Sequence, residues 1–89
     1  VTWTIISDKK YEKTLSKSGL MGSEERKLNE WLALVPSKGP FDAARELHID
    51  CTKLKGVSDE WHLYLGSYQR LFFTVTGFQQ VELLGVGHT

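Results

Sequence analysis

Lys53–Thr89, KLKGVSDEWHLYLGSYQRLFFTVTGFQQVELLGVGHT, is the stretch that decides how this chain folds. It reads as three strands joined by tight turns. In the first, Trp61, Leu63 and Leu65 alternate with His62 and Tyr64; in the second, Leu71, Phe73 and Val75 alternate with Arg70, Phe72 and Thr74. Such period-two patterning marks strands that bury one face only. Placing Leu63 opposite Leu71 and Trp61 opposite Phe73 requires a connection with an odd number of residues. Gly66-Ser67-Tyr68 supplies it as a three-residue loop. Tyr64 then lies across from Arg70, and His62 across from Phe72. A slip of one residue would push Arg70 among the core residues, where an unpaired charge is prohibitively costly. Arg70 is therefore expected on the uncovered face, satisfied by structure or kept for an anionic partner. Gly77 with Thr76 or Phe78 makes the next turn, and Gln80–His88 the last strand.

Upstream, Val1–Ser7 alternates with Val1, Trp3 and Ile5 on one face, and its β-branched and aromatic content predicts a strand. Asp8 is a suitable N-cap for a helix over Lys9–Ser18, in which Tyr11 and Leu15 form an i, i+4 apolar pair. Gly19 and Gly22 interrupt it. Ser23 is expected to cap a second helix carrying Leu28, Trp31, Leu32 and Val35, with Pro36 ending the run. Ser37–Asp42 reads as a loop, and Ala43–Leu47 fits either one helical turn or an extended lead-in. Lys53-Leu54-Lys55-Gly56 enters a turn over Val57–Glu60. The expected architecture is α+β in the order β-α-α-β-β-β, with two short helices on one face of a small, antiparallel-rich twisted sheet.

A chain of 89 residues is enough for one domain, taken as 1–89, and its three Trp, three Tyr and four Phe must supply much of the core. No stretch approaches the roughly 18 apolar residues of a membrane span, and no signal-peptide pattern opens the chain, so a cytoplasmic protein is expected. The single Cys51 cannot form an internal disulfide; it reads as a small core residue, with a catalytic thiol as the alternative. His48, His62, His88 and Cys51 make no zinc-ligand spacing, so neither metal nor cofactor is expected. Eleven basic residues balance eleven acidic ones, and neither half is enriched in lysine or arginine. Nucleic-acid binders normally carry a basic excess or stripe, so contact with RNA would need a local patch that sequence order hides.

Several short signatures resemble the RelE/ParE superfamily of bacterial toxin–antitoxin toxins. Lys53-Leu54-Lys55-Gly56 followed by Trp61 resembles the KLKG…W segment of HigB-type and phage-derived members. Gly66, Tyr68, Arg70, Leu71, Phe72 and Phe73 resemble their G-x-Y-R-hydrophobic-F strand, here with Gln69 between tyrosine and arginine. Leu83-Leu84-Gly85-Val86-Gly87-His88 resembles the last core strand, and Trp3 and Ile5 the usual opening. Tyr64 stands where many members carry Arg or Lys, and Thr89 where a basic residue is frequent. The resemblance implies a metal-independent, ribosome-dependent mRNA endoribonuclease that inhibits translation and is neutralised by a cognate antitoxin. The implied chemistry is attack of a ribose 2′-hydroxyl on the adjacent phosphodiester. Arg70 would stabilise the phosphorane, because guanidinium offers phosphate a fixed bidentate fork. His88 would move a proton. Lys53, Lys55, His62, Tyr64 and Tyr68 would contact RNA, the tyrosines by stacking. A different member of the same superfamily, the ParE-like inhibitor of DNA gyrase, implies no enzymatic activity at all. An inactive member kept as a binding module is a third expectation. The plainer readings stand beside these: Arg70 stacked on Tyr64 or paired with Glu82, and Lys53 and Lys55 as lysines that protect an exposed sheet edge.

Overall fold

The computed structural model describes residues 2–54, 56 and 59–88, with the side chain of His88 excepted. Its elements run β1 (Thr4–Ser7), α1 (Lys9–Ser18), α2 (Gly22–Lys38), α3 (Pro40–Glu46), β2 (Cys51–Lys53), β3 (Glu60–Tyr64), β4 (Gln69–Thr76) and β5 (Gln80–His88). The five strands form one mixed sheet in the order β1-β5-β4-β3-β2, antiparallel except that β1 runs parallel to β5. That parallel pair needs a long connection; the helices carry the chain from β1 to β2 at the far edge, and the β2-β3-β4-β5 meander brings it back.

The hairpin has the expected register. Trp61 pairs with Phe73, His62 with Phe72, Leu63 with Leu71 and Tyr64 with Arg70. Leu65 N–H donates to the Gln69 carbonyl at 3.0 Å and closes the three-residue loop over 66–68. Trp31 and Val35 from α2 and Ala43 and Ala44 from α3 lie in one buried cluster with Leu63, Leu71, Phe73, Val81 and Leu83. Trp31 and Phe73 sit 5.2 Å apart between ring centroids, and the Trp31 indole N–H donates to the Pro40 carbonyl at 3.0 Å. Each large apolar side chain hidden this way contributes about 1.5–3 kcal/mol. The helices cover only this face; the face bearing His62, Tyr64, Arg70 and Phe72 has no helix over it.

α1 lies where it was expected, capped by the Asp8 carboxylate, which accepts from Lys10 N–H at 3.2 Å, and closed by Gly19 in the left-handed region at φ 66°. Thr14 couples α1 to the sheet. Its hydroxyl donates to the Lys10 carbonyl at 2.7 Å and accepts from Val86 N–H at 3.0 Å. That amide is presented to α1 beside a β-bulge: Phe73 pairs with Leu83 but Phe72 pairs with Gly85, so Leu84 is the extra residue.

The order β-α-α-β-β-β needs correction by one helix and one strand. The stretch expected as a loop, Ser37–Asp42, is mostly helical: α2 continues to Lys38, Gly39 is the whole connection, and α3 begins at Pro40. Proline loses only its own N–H bond, so Pro36 in the last turn leaves Gly39 N–H free to reach the Val35 carbonyl at 2.8 Å. Its carbonyl turns outward and accepts from Trp3 N–H at 2.9 Å. Pro40 then starts α3 at the helix position that tolerates it best. Ser23 is not the cap of α2; Met21 holds that place, and the Glu24 side chain reaches back to Met21 N–H at 3.2 Å. The fifth strand, β2, covers only Cys51–Lys53 and pairs with β3, too short a run to show a period.

Candidate nucleic-acid interface

The open face is built by strand parity. Across the centre of the sheet it presents Thr52 from β2, His62 and Tyr64 from β3, Arg70 and Phe72 from β4, and Gly87 from β5. Gln69 fixes the start of β4: it is buried on the helix side, and its side-chain amide donates to the Ser18 carbonyl at 2.7 Å. With Gln69 held there, Arg70 has to point the other way.

Arg70 is half-buried and tightly placed. Its guanidinium carbon lies 4.3 Å from the centroid of the Tyr64 ring, and Nη1 donates to the Tyr68 carbonyl at 3.3 Å. Nε is shielded from solvent and has no hydrogen-bond partner. Among the described residues the ion pairs are Lys38–Glu46 and Asp42–Arg45, both on the helical side of the chain, and Arg70 takes part in neither. Pairing with Glu82 does not occur; stacking on Tyr64 does. The ring face attracts the cation without neutralising it, and no carboxylate among the described residues pairs with it.

Beside this pair, His62 meets Tyr64 edge-on at 5.1 Å and lies nearly parallel to Phe72 at 6.1 Å. Burial, and secondarily the Arg70 charge, lowers the His62 pKa below its ordinary value and keeps the ring neutral. Its Nδ1 is shielded and unpartnered. Tyr64 is shifted down as well, first through the Thr52 hydroxyl and then through Arg70, both of which favour the phenolate.

The structure brings His62, Tyr64, Arg70 and the Tyr68 carbonyl together. Lys53 is not with them. It pairs with Trp61, whose ring packs on Phe41 of α3, so parity puts Lys53 on the helix side of the edge strand, exposed and away from Arg70. The Tyr68 side chain is 72% exposed in the β3–β4 loop. Lys55 lies outside the described residues. The backbone of His88 pairs with Gln69 at the end of β5, and its side chain is likewise outside the description. Three residues of the face were not anticipated as part of a site. Thr52 depends on β2, which the sequence hid; Phe72 and Gly87 were visible in the alternation but carried no charge to draw notice. Cys51 is half-buried, and burial pushes its thiol up to about 11, which leaves it an inert residue of the sheet edge. No group of three metal-ligating side chains occurs among the described residues.

Solved structures with the same architecture include several toxin–antitoxin complexes. The RelB-RelE antitoxin-toxin complex from Methanococcus jannaschii superposes with a TM-score of 0.70 at 16% identity, covering 93% of this chain and 88% of that one. The archaeal RelE-RelB complex from Pyrococcus horikoshii OT3 gives 0.67 at 19% identity, over 99% and 96%. The chain has the RelE fold. The E. coli DinJ-YafQ toxin-antitoxin complex matches equally well, at 0.67 and 15% identity over 99% and 93%. No protein-family model and no curated protein sequence matches the chain. The likeness is therefore one of backbone. No helix among the described residues is long and apolar enough to cross a membrane.

Proposed function

We propose that this chain is the toxin of a toxin–antitoxin pair and that it cleaves messenger RNA on the ribosome without a metal ion, inhibiting translation. The observation that carries the reading is Arg70: a guanidinium in no ion pair among the described residues, held by Tyr64 and the Tyr68 carbonyl on the uncovered face of a RelE fold. Structures with this fold include toxins seen bound to their antitoxins, which supports a cognate antitoxin as the partner here.

In the proposed reaction the ribose 2′-oxygen attacks the adjacent phosphorus and the 5′-oxygen of the next nucleotide leaves. The products are a 2′,3′-cyclic phosphate and a 5′-hydroxyl. Arg70 supplies positive charge where the phosphorane develops it, and because the arginine is already in place no reorganisation is needed during the step. His88 is assigned the proton transfer on the resemblance of the last strand. Tyr64, Tyr68 and His62 offer rings to unpaired bases.

One observation favours a second reading. Arg70 is the one lysine or arginine that parity places on the open face among the described residues, a sparse field for a nuclease. A binding role for the same face, such as inhibition of DNA gyrase, needs no more than this. Expression in a bacterial host, with and without the neighbouring small open reading frame, separates the two. Cleaved messenger ends that vanish with Arg70→Ala, with a loss of about 10²-fold or more in a ribosome-programmed assay, are expected for the nuclease. Growth arrest that persists in Arg70→Ala without message cleavage would reject it and point to the second reading.

A further inference from the structure

Gln69 is the one buried residue with a polar side chain among the described residues, at 7% exposure. β4 turns it to the helix side together with Leu71 and Phe73, where an apolar residue would bury at less cost. Its side-chain amide donates at 2.7 Å to the carbonyl of Ser18, the last residue of α1 and one of the carbonyls that a helix end leaves open. Its Oε1 is shielded and has no hydrogen-bond partner among the described residues. A core glutamine with half its amide unsatisfied adds little to stability. What it does is hold the backbone on either side of it. The Gln69 carbonyl accepts from Leu65 N–H at 3.0 Å, and the peptide before it carries the Tyr68 carbonyl, which accepts from Arg70 Nη1 at 3.3 Å. At the start of the same loop the Glu24 carboxylate of α2 lies so close to Gly66 that no Cβ fits between them. The loop that presents the Tyr68 carbonyl is thus seated on the α1–α2 turn.

We propose that Gln69 is a positioning residue for Arg70. Its anchorage to Ser18 sets where the Tyr68 carbonyl stands, and that carbonyl, with the Tyr64 ring, sets where the guanidinium stands. The latch works from beneath the sheet: it touches nothing on the open face and acts only through the backbone of its own strand. A charge that must be in place before a reaction begins needs such support, because a displacement of about 1 Å is enough to cost most of its effect. The position of Arg70 stands on geometry alone, while its consequence for cleavage rests on the nuclease reading.

The test reads Arg70 directly, through its Nε–Hε resonance in proton–nitrogen correlation spectra of the intact chain, identified by its loss in Arg70→Lys. Stacked on Tyr64 and shielded from water, that proton should resonate away from the free-arginine position and exchange slowly. Gln69→Met keeps the length of the side chain and removes the donor. It is expected to melt within about 4 °C of the wild type, while the Arg70 resonance moves toward the free-arginine position and loses its protection. Gly39→Ala, which disturbs the α2–α3 joint and leaves the latch alone, should lower stability without moving that resonance. Should Gln69→Met fail to fold, Gln69→Asn keeps the amide but withdraws it from Ser18, and the same shift is expected. In the ribosome-programmed assay, Gln69→Met should lower kcat about tenfold or more with KM little changed, as for a group displaced from the transition state. An unmoved resonance in folded Gln69→Met, or an equal shift in Gly39→Ala, would overturn the positioning role. The two readings fail separately. A shifted resonance in Gln69→Met with no cleavage by the wild type keeps the latch and rejects the nuclease. Cleavage that needs Arg70 but runs at full kcat in Gln69→Met keeps the nuclease and rejects the latch.

Discussion

Arg70 shows how one residue is placed by the chain around it. Its side is dictated by parity, its direction by the Tyr64 ring, and its reach by the Tyr68 carbonyl. The neighbouring His62 carries a consequence for pH. Its pKa is lowered by burial and by Arg70, so the unfolded chain binds the proton more readily than the folded one. Stability from this group is present above the ordinary histidine value near ~6.5 and is lost as pH falls through the depressed folded value. Urea melts of the wild type between pH 7.5 and pH 5 are expected to show a falling midpoint, with a smaller fall in His62→Phe. Equal slopes in the two proteins would mean that the imidazole is indifferent to its surroundings. The cation that adds to the effect of burial on His62 is also the one offered to the phosphate.

At the scale of elements, the joint between α2 and α3 is one glycine. Gly39 has φ 86°, and a Cβ there would lie 2.8 Å from the Trp3 indole nitrogen. Gly39→Ala therefore suffers twice, from a disfavoured backbone region and from a clash with a half-buried ring. A loss of about 1–3 kcal/mol in equilibrium unfolding is expected, with β4 and the open face unaffected in the folded fraction. A change below about 0.5 kcal/mol would show that Trp3 yields easily and that the joint is looser than drawn. The helix–sheet contact through Thr14 acts in the same way at the other end of the helical stretch: its hydroxyl is the partner that the bulge leaves to Val86 N–H. Both joints were invisible as such in the sequence. Ser37–Asp42 has the composition of a loop, and only the burial of Pro40, Ala43 and Ala44 against the sheet turns it into helix.

For the whole molecule, charge is the quantity that binds these scales together. Acidic and basic residues cancel, and parity leaves Arg70 as the one lysine or arginine on the described open face. Association with single-stranded RNA should then be driven mainly by stacking and depend only weakly on salt. One phosphate contact corresponds to a slope of about −0.7 in log K against log salt. Anisotropy titrations between about 50 and 300 mM salt, roughly a sixfold range, are expected to stay near that value. A slope of about −3 or steeper would reveal a basic track elsewhere on the molecule. Lys53 would be the first place to look, since its edge position turns it toward the helical side.

How much of this was legible beforehand depended on length and period. β3 and β4 alternate over enough residues that their register, the loop between them and the side of Arg70 follow from hydrophobic patterning, because a one-residue error would have cost a buried charge. The first helix, with its Asp8 cap and Gly19 stop, was equally plain. β2 was not, since three residues carry no period, and α3 was not, since its helicity comes from what it packs against. The sequence by itself determined which face of the sheet is dry. Only the tertiary structure decided what stands on the other face, because the company of Arg70 is drawn from β2, β3 and β5, and neighbours across a sheet are set by hydrogen-bonded pairing between segments far apart in the chain.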